Sequence, residues 1–125
     1  MPKKVLLIDD DKDIISFLTI LLEDNGYQSI SAIDGDMGFI KAISEKPDLI
    51  CLDITMPNVS GVKCYRNLSE TAETKEIPVF IVTGISKEFK GFIESRKQVP
   101  PPVAYFEKPI DKEEFIEKIK ATLGC

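Results

Sequence analysis

Between Pro47 and Pro57 the chain reads Asp48-Leu49-Ile50-Cys51-Leu52-Asp53-Ile54-Thr55-Met56, and Leu49 to Leu52 are apolar without a break. A strand with one wet face alternates apolar and polar residues. A short unbroken run suits a strand buried on both faces, as in a parallel sheet under helices. Pro57 cannot donate to a ladder, so the strand stops near Asp53. Ligands of open α/β sheets gather at the carboxyl edge, which makes Asp53 a candidate nucleophile or metal ligand. Taken alone, an aspartate there is more simply a helix cap or turn residue. The residues at the other strand ends decide between the two.

Strand and helix signals alternate along the chain, the mark of an α/β domain. Val5-Leu6-Leu7-Ile8 is an apolar run closing on Asp9-Asp10-Asp11. From about Lys12 to Asn25, residues Ile14, Phe17, Leu18, Leu21 and Leu22 recur at helical spacing, and Gly26 supplies the stop. Tyr27 to Ala32 reads as a second strand, Asp34-Gly35 as a turn, and Met37 to Lys46 as a helix with Ile40 and Ile43 inward. Beyond the Asp53 strand, a loop over Thr55 to Ser60 leads to a helix from Gly61 that buries Val62, Tyr65 and Leu68. Val79-Phe80-Ile81-Val82 is the fourth strand and ends in Thr83-Gly84.

A weaker helix is expected over Ser86 to Lys97, where Gly91 costs about 1 kcal/mol relative to alanine. Pro100-Pro101-Pro102 then favours an extended polyproline path. Val103 to Phe106 makes the fifth strand. A last helix opens on Asp111 and Glu114 in capping-box spacing and buries Phe115, Ile119 and Leu123. Five strands and five helices in alternation predict a doubly wound parallel α/β sheet covered on both faces. No repeat or internal boundary interrupts the 125 residues, so one domain over 1–125 is expected.

What is missing narrows the chemistry. The chain has no histidine, which excludes Ser-His-Asp catalysis, histidine-ligated metals and a phosphohistidine carrier on this chain. A net charge of −5 argues against nucleic acid or an anionic membrane as direct partner. No apolar run approaches the roughly 20 residues of a membrane span. The start, Met1-Pro2-Lys3-Lys4-Val5, leads into a strand rather than a signal peptide. Cys51, Cys64 and Cys125 are an odd, scattered set without metal or redox spacing, so a reduced, cytoplasmic protein is expected.

The polar residues fall at strand ends: Asp9 and Asp10 after the first strand, Asp53 after the third, Thr83 after the fourth, Lys108 after the fifth. Each has a plain alternative, as a cap, a common strand-end residue or solvated surface. In a parallel sheet all these ends share one edge, so residues far apart in sequence can converge. Two carboxylates 4 Å apart repel by roughly 4 kcal/mol at an effective dielectric of 20. Clustered aspartates therefore call for a proton, a lysine or a divalent cation. All-oxygen donors favour Mg²⁺ or Mn²⁺ over zinc. Such a pocket can accept a phosphoryl group on an aspartate, with Lys108 and Thr83 facing its oxygens.

These residues resemble the receiver domain of two-component response regulators, and the resemblance covers the whole chain. It is carried by Val5 to Asp10, by Asp53-Ile54-Thr55-Met56-Pro57 with Gly61, by Thr83-Gly84 and by Lys108-Pro109. The resemblance implies a flavodoxin-like strand order 2-1-3-4-5. It implies that Asp53 is the phosphoacceptor, that Asp10 binds Mg²⁺ directly and Asp9 through water, and that the Thr55 carbonyl adds a ligand. Lys108 would contact the phosphoryl group, across a cis bond to Pro109. Thr83 and Tyr105 match the coupled switch pair. The donor would be a histidine kinase or a histidine phosphotransfer protein, and the output partner or domain would meet the 84–109 face. A homodimer on phosphorylation is compatible with this scheme. Such a module transfers its own phosphoryl group without being a turnover enzyme.

Three departures from the family pattern stand out. The segment between Thr83 and Lys108 is longer than usual and carries Arg96-Lys97 and the triple proline. Glu107 directly precedes Lys108 and could compete for its ammonium. The positions two after Asp53 and two after Thr83, which tune hydrolysis in the family, are Thr55 and Ile85. Competing classes fit less well. A phosphatase of similar chemistry would show a second Asp at position 55, a nucleotide binder would show a phosphate-cradling loop after the first strand, and a receiver-like module working without phosphorylation would not need all of Asp10, Asp53, Thr83 and Lys108.

Overall fold

The computed structural model describes residues 2–54, 61–83 and 103–124. Its elements are β1 (Lys4–Ile8), α1 (Lys12–Asp24), β2 (Gln28–Ala32), α2 (Gly35–Glu45), β3 (Leu49–Leu52), α3 (Gly61–Glu70), β4 (Val79–Thr83), β5 (Ala104–Glu107) and α4 (Lys112–Leu123). The strands form one sheet in the order β2-β1-β3-β4-β5, every pair parallel. The helix expected over Ser86 to Lys97 and the proline run lie outside the described residues. No helix among the described residues is long and apolar enough to cross a membrane.

The sheet is buried on both faces, as the apolar run of β3 requires. Leu6 and Ile8, Ile50 and Leu52, and Val79 and Ile81 point one way, into a layer shared with Ala42 of α2 and Cys64, Tyr65 and Leu68 of α3. Val5 and Leu7, Leu49 and Cys51, and Phe80 and Val82 point the other way, against Leu18 and Leu22 of α1 and Phe115, Ile116 and Ile119 of α4. Period-two strands feeding two covered faces give this division directly. Phe115 stands edge-on to Phe80 and Phe106, with ring centroids 6.2 and 5.2 Å away, and so pins α4 to β4 and β5.

Aspartates start three of the helices. Asp11 accepts from the amides of Asp13 and Ile14, Asp34 from Met37, and Asp111 from Glu114. The Asp34 cap lets α2 begin at Gly35, two residues before the expected start, so Asp34-Gly35 is a helix entry and not a free turn.

Two residues expected to face inward do not. Ile40 is 56% exposed and Phe17 38% exposed. On α2 the inward stripe is Gly38 and Ala42, and Ile40 lies about 200° around the helix from Gly38. The reason is a close approach. A Cβ on Gly38 would fall 2.5 Å from Cδ1 and 2.9 Å from Cγ2 of Ile8. Only a residue without a side chain lets α2 settle against β1. Because the clash involves both branches of Ile8, Gly38→Ala is expected to destabilise the protein by about 1–3 kcal/mol despite its better helix propensity. A thermal melt checks this, and a variant as stable as the parent would show that the layer can yield.

Candidate functional site

Strand register builds the site. Ile8 of β1 lies opposite Leu52 of β3, so the next residues of each strand, Asp9 and Asp53, leave the sheet side by side. The Asp53 amide donates to the Ile8 carbonyl at 2.9 Å and the Asp9 amide to the Ala32 carbonyl at 3.1 Å. These bonds extend the ladder one step and fix where the carboxylates emerge. On the other side Thr83 of β4 lies opposite Glu107 of β5, which places Lys108 one residue beyond the same edge. From β1 the chain steps one way across the sheet to β2 and then back past β1 to β3, so the site between β1 and β3 sits at a topological switch point.

Asp9, Asp10 and Asp53 each offer a carboxylate oxygen, and these oxygens lie within 4.8 Å of one another. Asp9 and Asp53 are buried, while Asp10 is exposed. The Lys108 ammonium stands between the two buried groups, 2.9 Å from Asp9 Oδ2 and 3.4 Å from Asp53 Oδ2. Asp9 also accepts from the Asp11 amide at 2.9 Å. Lys108 joins Pro109 through a cis peptide bond, as the resemblance implied. Glu107 is exposed and leaves the ammonium to the two aspartates.

Burial, with a smaller push from the Asp53 charge, raises Asp9 to a pKa of about 6, against the pull of the Asp11 amide and Lys108. Burial also works to lower Lys108, but Asp9 and Asp53 outweigh it and hold the ammonium above its ordinary value. With all groups ionised, three carboxylates against one ammonium leave two negative charges unbalanced. The donors are all oxygen and partly desolvated. This set fits a hard divalent cation and would repel a bare anion.

Of the residues picked out in the sequence, the structure brings Asp9, Asp10, Asp53 and Lys108 together. Thr83 closes β4 at the same edge, and Thr55 lies outside the described residues. Tyr105 lies opposite Ile81 and packs onto the α2/α3 layer. That layer also holds Tyr65, a neighbour of Tyr105 that spacing along the chain gave no means of finding.

Strand order and side chains together make this a doubly wound α/β domain with a lysine-braced acidic pocket at its switch point. The chain belongs to the response regulator receiver domain family, whose model matches residues 5–120. It is a receiver of two-component signal transduction, a class of signalling modules. It is similar to protein PilH of Pseudomonas aeruginosa, at 36% identity over 121 residues, 97% of this chain and 98% of that one. The polar-differentiation response regulator DivK of Brucella anthropi is 36% identical over 124 residues, 99% of this chain and 98% of that one. Among solved structures, the receiver domain of sensor histidine kinase PA1611 from P. aeruginosa, which has a magnesium ion coordinated in its active-site cleft, superposes with a TM-score of 0.85. It is 20% identical and the match covers 100% of both chains.

Proposed function

We propose that Asp53 is the phosphoacceptor of this receiver and that the residues around it serve that transfer. The observation that carries this reading is the meeting of three carboxylates and one ammonium where β1, β3 and β5 end. A carboxylate oxygen of Asp53 attacks the phosphorus of a partner's phosphohistidine. The new O–P bond forms as the P–N bond breaks, and the freed imidazole keeps the bonding pair and takes up a proton. Lys108, 3.4 Å from Asp53 already, remains beside the oxygens of the transferred group. Thr83 would supply a hydroxyl hydrogen bond to that group.

Asp9, Asp10, Asp53 and the Thr55 carbonyl would hold Mg²⁺ or Mn²⁺, as the all-oxygen donor set favours. Bound there, the ion neutralises charge on the phosphoryl oxygens. The partner is a histidine kinase or phosphotransfer protein, and the output partner meets the 84–109 face. A homodimer on phosphorylation fits the same scheme. The protein turns over no substrate of its own beyond slow loss of its phosphoryl group. Free, buried Cys51 and Cys64 fit a reducing cytoplasm.

Acetyl phosphate with Mg²⁺ tests the reading. The intact protein should gain one phosphoryl group by mass, and chelation should prevent it. Sustained turnover of a phosphomonoester would point to a hydrolase instead. Ile85 cannot orient an attacking water, so the acyl phosphate should be long-lived. Ile85→Glu is expected to shorten its half-life several-fold; equal decay in parent and variant would remove that role from the position.

A further inference from the structure

Tyr65 of α3 and Tyr105 of β5 come together beneath the β4 side of the sheet. Tyr105 packs onto the cluster that contains Tyr65, Leu68, Val79 and Ile81. Tyr65 is buried, and the Tyr105 hydroxyl oxygen is shut off from solvent although the residue as a whole is only half-buried. Burial and then the neighbouring Tyr105 both push the Tyr65 phenol above its ordinary range, in keeping with the place of both side chains in that cluster. Helix α3 is also the next described element along the chain after Asp53.

We propose that Tyr65 is a positioning residue for Tyr105: its ring, carried on α3, forms the wall that holds Tyr105 inward and ties that setting to the helix following Asp53. The proposal deepens the receiver reading and rests on it for its link to phosphorylation. Coupling between two settings is reciprocal in binding free energy. If the phosphorylated state uses an inward Tyr105, the residue that holds Tyr105 inward favours the acyl phosphate by the same factor.

Nitration by tetranitromethane, with sites read by peptide mass, tests the hold directly. The chain has three tyrosines, and buried Tyr27, in the layer on the opposite face, reports on folding. Tyr65→Leu should speed nitration of Tyr105 by about fivefold or more, the low end of ordinary coupling, with Tyr27 unchanged. Tyr65→Phe keeps the ring and should leave Tyr105 within about twofold of the parent on the same scale. If Tyr27 also becomes reactive in the Leu variant, Tyr65→Met, unbranched and better able to adapt to the gap, takes its place.

Parent-like protection of Tyr105 in a folded Leu or Met variant overturns the proposal, as does release by Phe as great as by Leu. A second readout is the phosphorylated fraction at saturating acetyl phosphate. It should fall several-fold in Tyr65→Leu with Mg²⁺ affinity unchanged, and an unchanged fraction removes the link to phosphorylation. A parent that takes up no phosphoryl group defeats the assignment of Asp53, while nitration still decides what holds Tyr105.

Discussion

Asp53→Ala should gain no phosphoryl group from acetyl phosphate under conditions where the parent is fully converted, a loss of at least about a hundredfold for a variant without its nucleophile. The two carboxylates beside it are poor substitutes. Asp9 is tied by the Asp11 amide and the Lys108 ammonium, and burial draws it toward the protonated form, with a pKa of about 6. Asp10 is exposed, so solvation blunts its nucleophilicity. Asp53 alone continues the central strand, held by its amide bond to Ile8, with Lys108 3.4 Å away, where on the proposed reading it would meet an incoming phosphoryl oxygen. Loss of the buried Asp53 charge also relieves repulsion from Asp9, so the variant should remain folded by circular dichroism. Uptake by a folded Asp53→Ala at the parent's rate would move the acceptor elsewhere, with Asp10 the next to replace.

The second large effect is on stability. Asp9→Asn is expected to make the metal-free protein more stable at pH 7, by about 1–2 kcal/mol or roughly 3–8 °C in melting temperature. A carboxyl moved from 3.8 to about 6 is disfavoured as a charge in the folded state by about 3 kcal/mol at neutral pH, since one pKa unit is about 1.4 kcal/mol. That figure is already net of the pull of Lys108; the amide keeps an acceptor for the Asp11 N–H, but it too is a buried polar group, which accounts for the smaller net gain.

The sign over pH follows from linkage. Between about pH 4 and pH 6 the unfolded chain has released this proton while the native chain still holds it, so this contribution to stability falls as pH rises through the window and is flat above it. Asp9→Asn should lack that fall. If Mg²⁺ binds as proposed, the variant should also lose most of the rise in melting temperature that saturating Mg²⁺ would give the parent. A less stable variant at pH 7 would mean that the Lys108 pair outweighs burial. Carboxylates that repel one another without a cation are also the ones that attract it.

Much of this protein could be read from single residues. The unbroken run Leu49 to Leu52 announced a strand covered on both faces, and its side chains do divide between two core layers. Asp111 announced its helix by capping. Asp9, Asp10, Asp53 and Lys108 could be picked out because strand-end position is a local property, and a parallel sheet turns that property into proximity. Helix faces were less legible. Spacing put Ile40 inside, but Gly38 and Ala42 occupy the inward stripe because the backbone of α2 presses on Ile8. A missing side chain has no hydropathy, so no periodicity rule could see that contact.

The sequence by itself thus determined the class of the fold, the residues of the acidic pocket and the hard, oxygen-only chemistry they offer. The tertiary structure alone decided how those charges settle: that Lys108 bridges Asp9 and Asp53 and not Glu107, that burial and not charge alone raises Asp9, and that Tyr65 is the neighbour of Tyr105. Identity and order along a chain fix which groups are available. Desolvation and pairing depend on distances through space, and these exist only once strands are in register and helices have packed.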